Sequence, residues 1–232
     1  MVALQQPDAP SPAPRGRLLY PRVLLISLTC WAAFAILAAF AASASYIPGD
    51  LQVARWVQGA NWGPLVGVFP WISALSGTGQ VVVALALVVV VGIFDRPSVR
   101  FALAGALGGG LYWVINAWIH KPRPAAGLIH VTENPGAYAF PSGHATLATI
   151  VVTVLVLTVG VRHFNRLGLA LGTALGVLVA IATGIERIYV GAHYPSDVLG
   201  GTLLALATLS LALSLRWIGA PILERWDALR DV

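Results

Sequence analysis

The stretch PSGHATLATIVVTVLVLTVGV, residues 141–161, runs to Arg162 without one Asp, Glu, Lys or Arg. It opens on Pro141, which suits the first turn of a helix because its missing N–H is not needed there. The apolar body that follows approaches the ~20 residues a helix needs to cross a bilayer. Arg162 and Arg166 form a short basic turn, and a second apolar run then occupies 166–186. Further runs lie at 23–47, 78–94, 100–119 and 197–215, so apolar sequence covers nearly the whole chain. The expectation is an all-α, polytopic membrane protein, a bundle of six transmembrane helices.

Composition supports this reading. Hydrophobic residues make up 58% of the 232 residues and charged residues 10%, where a soluble domain carries about 25% charged. A formal charge of +5 could indicate a nucleic-acid partner, but Lys and Arg form no run. Ten of the fourteen basic residues (Arg15, Arg17, Arg22, Arg96, Arg100, Arg162, Arg166, Arg216, Arg225 and Arg230) fall in the tails and in alternate short loops. That distribution is the positive-inside pattern, and it excludes nucleic acid as the partner. Both termini are therefore expected to be cytoplasmic. The polar clusters at 120–144 and 186–197 then share the non-cytoplasmic face. Arg outnumbers Lys thirteen to one, a bias of high-GC bacteria, so the cytoplasmic membrane of a bacterium is the expected location. Cys30 is the single cysteine, which excludes an intramolecular disulfide and reads as a packing thiol.

Three regions follow. Residues 1–21 are expected to be a disordered cytoplasmic tail rich in Pro and Ala, 22–216 the membrane domain, and 217–232 a cytoplasmic C-terminal tail. Ala42-Ser43-Ala44 resembles a signal cleavage site, but the preceding apolar run exceeds the roughly 7–15 residues of a signal h-region. It is read as a retained first span. Between spans one and two, Asp50 is placed to cap a short amphipathic helix carrying Leu51, Val53 and Trp56. Trp56, Trp62 and Trp71 read as interfacial aromatics.

Charged groups at membrane depth indicate function by default. Here they fall in three groups: His120 to Pro124, Pro141 to His144, and Arg187 to Asp197. Free N–H groups and the helix dipole make the helix start at Ser142 and Gly143 an anion site, with the Ser142 hydroxyl as a further donor. Gly143 also allows close approach of a ligand to the backbone. Tyr194 precedes Pro195 and should be extended, which leaves His193 in the loop before the last span. Asp197, in the first turn, can reach back to His193 and fix its tautomer. Arg123 and Arg187 offer planar forks to phosphate oxygens, and Lys121 adds a point charge. Zinc sites want three or four His, Cys or carboxylate ligands, and two arginines would repel a dication, so no metal and no other cofactor is expected.

These motifs resemble the type 2 phosphatidic acid phosphatases, whose signature is Lys, six residues, Arg-Pro; then Pro-Ser-Gly-His; then Ser-Arg, five residues, His, three residues, Asp. The chain matches at Arg123-Pro124, at Pro141 to His144, and at Arg187, His193 and Asp197. The resemblance implies that His193 attacks phosphorus, Asp197 orients it, and His144 serves as acid and then base. It also implies that Arg123, Arg187, Ser142 and the Gly143 N–H hold the phosphate oxygens. The implied substrate is a membrane lipid phosphate: a polyprenyl diphosphate, phosphatidic acid or phosphatidylglycerophosphate. Two positions depart from the signature: Asn116 stands where the family has lysine, and Glu186 where it has serine. Lys121 is expected to compensate for the first. A phosphotransferase of the same family, a transporter and a haloperoxidase are the rival readings.

Overall fold

A computed structural model describes residues 19–74 and 78–230. Most of the tail expected to be disordered, residues 1–18, lies outside the described residues. Its last members are ordered: Tyr20 N–H donates to the Ser214 carbonyl at 2.8 Å.

Helix α1 (Pro21–Ser43) begins on a proline and stops where Ala44 turns extended. It buries only Ser27, Phe34 and Ala41, spaced seven apart, while Leu25, Ile26, Leu28, Ile36 and Phe40 stay exposed. A seven-residue spacing is two helical turns, so one narrow stripe faces the protein. The expected short helix after it is present as α2 (Asp50–Gly59). The Asp50 carboxylate accepts from Ile47 N–H at 3.0 Å. A 3₁₀ turn at Gly63–Val68 leads into α3 (Phe69–Ser73), followed by α4 (Thr78–Phe94). Helix α5 (Val99–Ile119) ends at His120, whose φ of 56° is left-handed, one residue before the Lys121-Pro122 pair that cannot continue a helix.

Helix α6 (Gly143–Leu155) runs through a π turn at Val156–Gly160 into the short α7 (Val161–His163). After the basic turn come α8 (Arg166–Tyr189), α9 (Pro195–Ser214) and α10 (Arg216–Arg230). Among the described residues, five helical stretches are long and apolar enough to cross a membrane: Pro21–Ser43, Arg96–Ile119, Gly143–His163, Arg166–Tyr189 and Pro195–Ser214. Pro21–Ser43, Arg96–Ile119 and Arg166–Tyr189 turn many of their large apolar side chains outward, and the molecule is a multi-pass membrane protein. The sixth expected span, α4, has 17 residues and is shorter than these.

Helix α9 is the axis of the bundle, packed by α1, α5 and α6. Phe101, Ile150, Val154, Ala205 and Leu209 form its main buried cluster. Small residues let these helices approach closely. A Cβ on Gly108 would meet the Thr208 hydroxyl at 2.8 Å, and one on Gly201 would meet the Ser142 carbonyl at 2.4 Å. Close helix contacts are therefore present at Gly108 and Gly201, whereas Gly109 and Gly110 line a cavity.

The segment after the last span is helical over Arg216–Arg230. Ile218 and Ile222, one turn apart, are buried on the core. Arg225 reaches the fully buried Asp95 at 3.0 Å, and Arg162 reaches the same carboxylate at 3.2 Å. Two arginines on one carboxylate hold α10 to the basic loops.

Candidate active site

Two helix N-termini meet at one end of the bundle. Ser142 N–H donates to the Asp197 carbonyl at 2.9 Å, so the start of α6 abuts the start of α9. The missing side chain of Gly201 permits this crossing, because a Cβ there would collide with the Ser142 and Thr146 backbone. Ser142 caps α6, its hydroxyl accepting from Ala145 N–H at 3.5 Å. The close approach that Gly143 permits is taken by Tyr112, whose ring carbon would lie 2.7 Å from a Cβ at that position. All three sequence groups converge here.

His193 lies in the loop between α8 and α9, almost fully buried. Ala192 and His193 N–H both donate to the Arg187 carbonyl at 3.1 Å, which ends α8 and fixes the loop. Gly191 turns the chain with φ of 73° and lies so close to the His130 carbonyl that no Cβ would fit. The ring Nδ1 lies 2.8 Å from the Ala139 carbonyl. A carbonyl only accepts, so Nδ1 carries the proton and Nε2 keeps its lone pair. Arg123 Nη1 approaches that lone pair at 3.2 Å. Burial, and then the charges of Arg123 and Arg187, push the His193 pKa well below its ordinary value, so the ring is neutral.

Asp197 does not hold His193 by a hydrogen bond: Oδ2 is 3.9 Å from Nδ1. Instead Oδ2 accepts from Tyr194 N–H at 2.8 Å, at the turn that delivers His193 to the start of α9. Its other oxygen accepts from Lys121 Nζ at 2.6 Å. Lys121 is fully buried, donates also to Ser196 Oγ at 2.9 Å, and has Asp50 at 3.9 Å. The lysine expected to meet phosphate is thus engaged with carboxylates. Asp50 ties α2 into the same network, accepting from Ser196 N–H at 2.9 Å and from its hydroxyl at 2.7 Å. Asn116 donates to the Tyr138 and Phe140 carbonyls at 3.4 and 3.1 Å.

Arg123 is half-buried, with Nε donating to the Gly136 carbonyl at 2.8 Å and Nη1 to the Ala192 carbonyl at 2.7 Å. Arg187 is fully buried and both edges of its guanidinium face carboxylates. Glu186 takes Nε at 2.5 Å and also Nη2. Glu133 takes the other edge, Nη1 at 3.3 Å and Nη2 at 3.0 Å. The Ser73 hydroxyl sits between Glu133 at 2.7 Å and Glu186 at 2.8 Å. Burial works against the Glu133 charge, yet hydrogen bonds from Ser73 and Arg187 hold its pKa below the usual value. His144, buried in the first turn of α6, lies within electrostatic reach of Arg187, Glu133 and Arg123.

Ser73, Glu133 and the Ala139 carbonyl were not singled out from sequence. Glu133 and Ala139 lie within the polar cluster at 120–144 and Ser73 in neither cluster, and a backbone carbonyl has no residue signature at all. Among the described residues, no group of three or more His, Cys, Asp or Glu converges as a metal site.

The multi-pass helical bundle gathers two histidines and two arginines where two helix N-termini meet. The family model of the PAP2 superfamily matches residues 97–219, and the chain belongs to that superfamily. It is 34% identical over 96 residues to the Phosphatidylglycerophosphatase B of Bacillus subtilis, 40% of this chain and 45% of that protein. It is also 34% identical over 115 residues to the Undecaprenyl-diphosphatase BcrC of Bacillus subtilis, 48% of this chain and 54% of that protein. The chain spans about half the length of these curated relatives. The crystal structure of the first transmembrane PAP2 type phosphatidylglycerolphosphate phosphatase from Bacillus subtilis shares the fold. Its TM-score is 0.63 at 21% identity, covering 80% of this chain and 93% of that one.

Proposed function

We propose that the chain is an integral membrane lipid phosphatase that hydrolyses a phosphomonoester or diphosphate on a lipid headgroup through a phosphohistidine. Nε2 of His193 attacks phosphorus, and the bond from phosphorus to the leaving oxygen breaks. Protonated His144 gives that oxygen its proton. Neutral His144 then takes a proton from water, whose oxygen displaces Nε2 and releases inorganic phosphate, restoring both rings. Arg123, Arg187, the Ser142 hydroxyl and the Gly143 N–H hold the phosphate oxygens as charge develops. Asp197 positions His193 by holding the Tyr194 turn and by its charge. Lys121 neutralises Asp197 and Asp50 rather than meeting phosphate.

The observation that carries this reading is the His193 ring itself: Nδ1 is committed to the Ala139 carbonyl, and the Nε2 lone pair stands beside Arg123 at 3.2 Å. A lipid substrate is supported by an apolar cavity of about 300 Å³ beside Gly143, lined by Val81, Leu85, Trp113 and Leu147. The relatives named for phosphatidylglycerophosphate and undecaprenyl diphosphate hydrolysis support the same class, with phosphatidic acid as a third candidate.

Helix α4 serves as the sixth span. Its 17 residues extend about 26 Å, which a modest thinning of a ~30 Å hydrocarbon core accommodates. Six crossings put both termini and the basic loops in the cytoplasm and the site outside, facing lipids of the outer leaflet. Labelling of Gly127→Cys in intact cells by an impermeant thiol reagent checks this side; labelling only after lysis would reverse it.

Phosphate release by the wild type and His193→Ala, on a panel of lipid phosphates with EDTA present, tests the reaction. Release by the wild type alone is the expected outcome. Equal release by both proteins would overturn the role of His193, and the best lipid names the substrate class.

A further inference from the structure

Arg187, which the proposed reaction uses to bind phosphate, already holds a carboxylate in the position an oxyanion would take. Its guanidinium has two edges that can meet an anion in a parallel pair of hydrogen bonds. Glu186 fills the edge formed by Nε and Nη2, and this side chain is fully buried on α8 next to Arg187. It has no path out. Glu133 fills the edge formed by Nη1 and Nη2, and its side chain is 27% exposed. It sits in the outer loop, not in a helix, held there by Thr132 and Glu133 N–H donating to the Val190 carbonyl at 2.9 and 3.2 Å. Of the two carboxylates, only Glu133 can leave Arg187 without dismantling the bundle.

We infer that Glu133 is a built-in competitor for phosphate at Arg187, a specificity-determining residue that raises the affinity threshold of the site and helps expel the product. The inference rests on the phosphatase reading of the site. The charge balance around Arg187 supports it. Arg123 and Arg187 contribute two positive charges, and Glu133 and Glu186 cancel both, so the unliganded site has none of the excess positive charge that its arginines alone would give. A phosphate entering at Arg187 replaces one carboxylate by a group with more oxygens and more negative charge, an exchange that favours a terminal phosphate. After hydrolysis, inorganic phosphate bound between two arginines would leave slowly. Return of the Glu133 carboxylate to the same edge displaces it. The carboxylate is held in its charged form by Ser73 and Arg187, so it is ready to compete at neutral pH.

Titration of inorganic phosphate into the purified wild type and Glu133→Gln, followed by calorimetry in detergent, tests the inference without relying on turnover. The glutamine keeps the size of the side chain but loses the charge, and the variant should bind phosphate about tenfold more tightly. Glu133→Ala, which removes the reach as well, should bind at least as tightly as the glutamine variant. Equal or weaker binding by both variants, while the wild type binds phosphate, would overturn the competitor role and leave the phosphatase reading standing. Failure of all three proteins to bind phosphate would overturn the anion-site reading itself, and this inference with it.

Discussion

The carboxylate of Asp197 stands 3.9 Å from the imidazole of His193, too far for a hydrogen bond, and its nearest charged partner is Lys121 at 2.6 Å. The orienting bond to His193 comes from the Ala139 carbonyl at 2.8 Å. Asp197 therefore acts on the histidine through the Tyr194 turn, and Lys121 makes its buried charge tolerable.

That pair predicts a stability phenotype for Lys121. Lys121→Met leaves Asp197 charged and fully buried without its partner, and breaking a buried pair costs about 3–5 kcal/mol. The double variant Lys121→Met, Asp197→Asn should lose less than the sum of the two single changes. Thermal unfolding in detergent reads the coupling. Additive losses would show that the two side chains do not depend on each other.

His193 predicts the acid side of the stability curve. Its pKa in the folded protein lies well below 6.5, so below about pH 6.5 the unfolded chain takes up a proton that the folded one refuses. The unfolded state then binds more protons, and stability falls as pH falls, by about 1.4 kcal/mol per unit from this one group until the folded pKa is reached. His193→Gln removes that slope. Unfolding of both proteins between pH 7 and 5 should diverge, the wild type losing stability faster. Parallel curves would mean that the ring titrates normally.

Gly201 predicts how tightly the two N-termini must meet. A Cβ there would lie 2.4 Å from the Ser142 carbonyl and 3.1 Å from Thr146 N, backbone atoms that cannot swing aside. Overpacking of this kind costs about 1–3 kcal/mol. Because α6 would be displaced with Ser142 and His144, Gly201→Ala should also lose activity. Gly172→Ala, in α8 with nothing within 4 Å of its Cβ, is the control and should gain up to about 1 kcal/mol from helix propensity. If both variants behave alike in unfolding and turnover, the crossing is looser than its geometry indicates.

Arg123 predicts a loss on a conservative change. Its fork meets the Gly136 and Ala192 carbonyls and the His193 ring at once. A lysine cannot reproduce three directions from one ammonium. Arg123→Lys should lower kcat/KM by about tenfold or more, since tenfold corresponds to about 1.4 kcal/mol of lost binding to the transition state. Unchanged kinetics would reduce Arg123 to a point charge.

Much of this protein is legible from sequence because its signals are local. Apolar runs bounded by arginines located the helices to within a few residues. Pro141-Ser142 and Pro195-Ser196 announced helix starts, and both stand at the N-termini of α6 and α9. Span ends were less legible: the run at 23–47 stops being helical at Ser43, and the C-terminal segment folds as α10, because Ile218 and Ile222 find a core only when α9 is in place.

The sequence by itself determined a membrane bundle and the cast of its site, since hydrophobic length and motif spacing are properties of short segments. Only the tertiary structure decided who pairs with whom. Lys121 lies two residues from Arg123, yet one side chain is buried on Asp197 and the other reaches His193. Glu133 and Ser73 reach Arg187 across 54 and 114 residues of chain. The Ala139 carbonyl, common to every residue type, fixes the His193 ring. Each of these outcomes follows from burial, where a charge must find its partner in the nearest fold neighbour rather than the nearest residue in the chain.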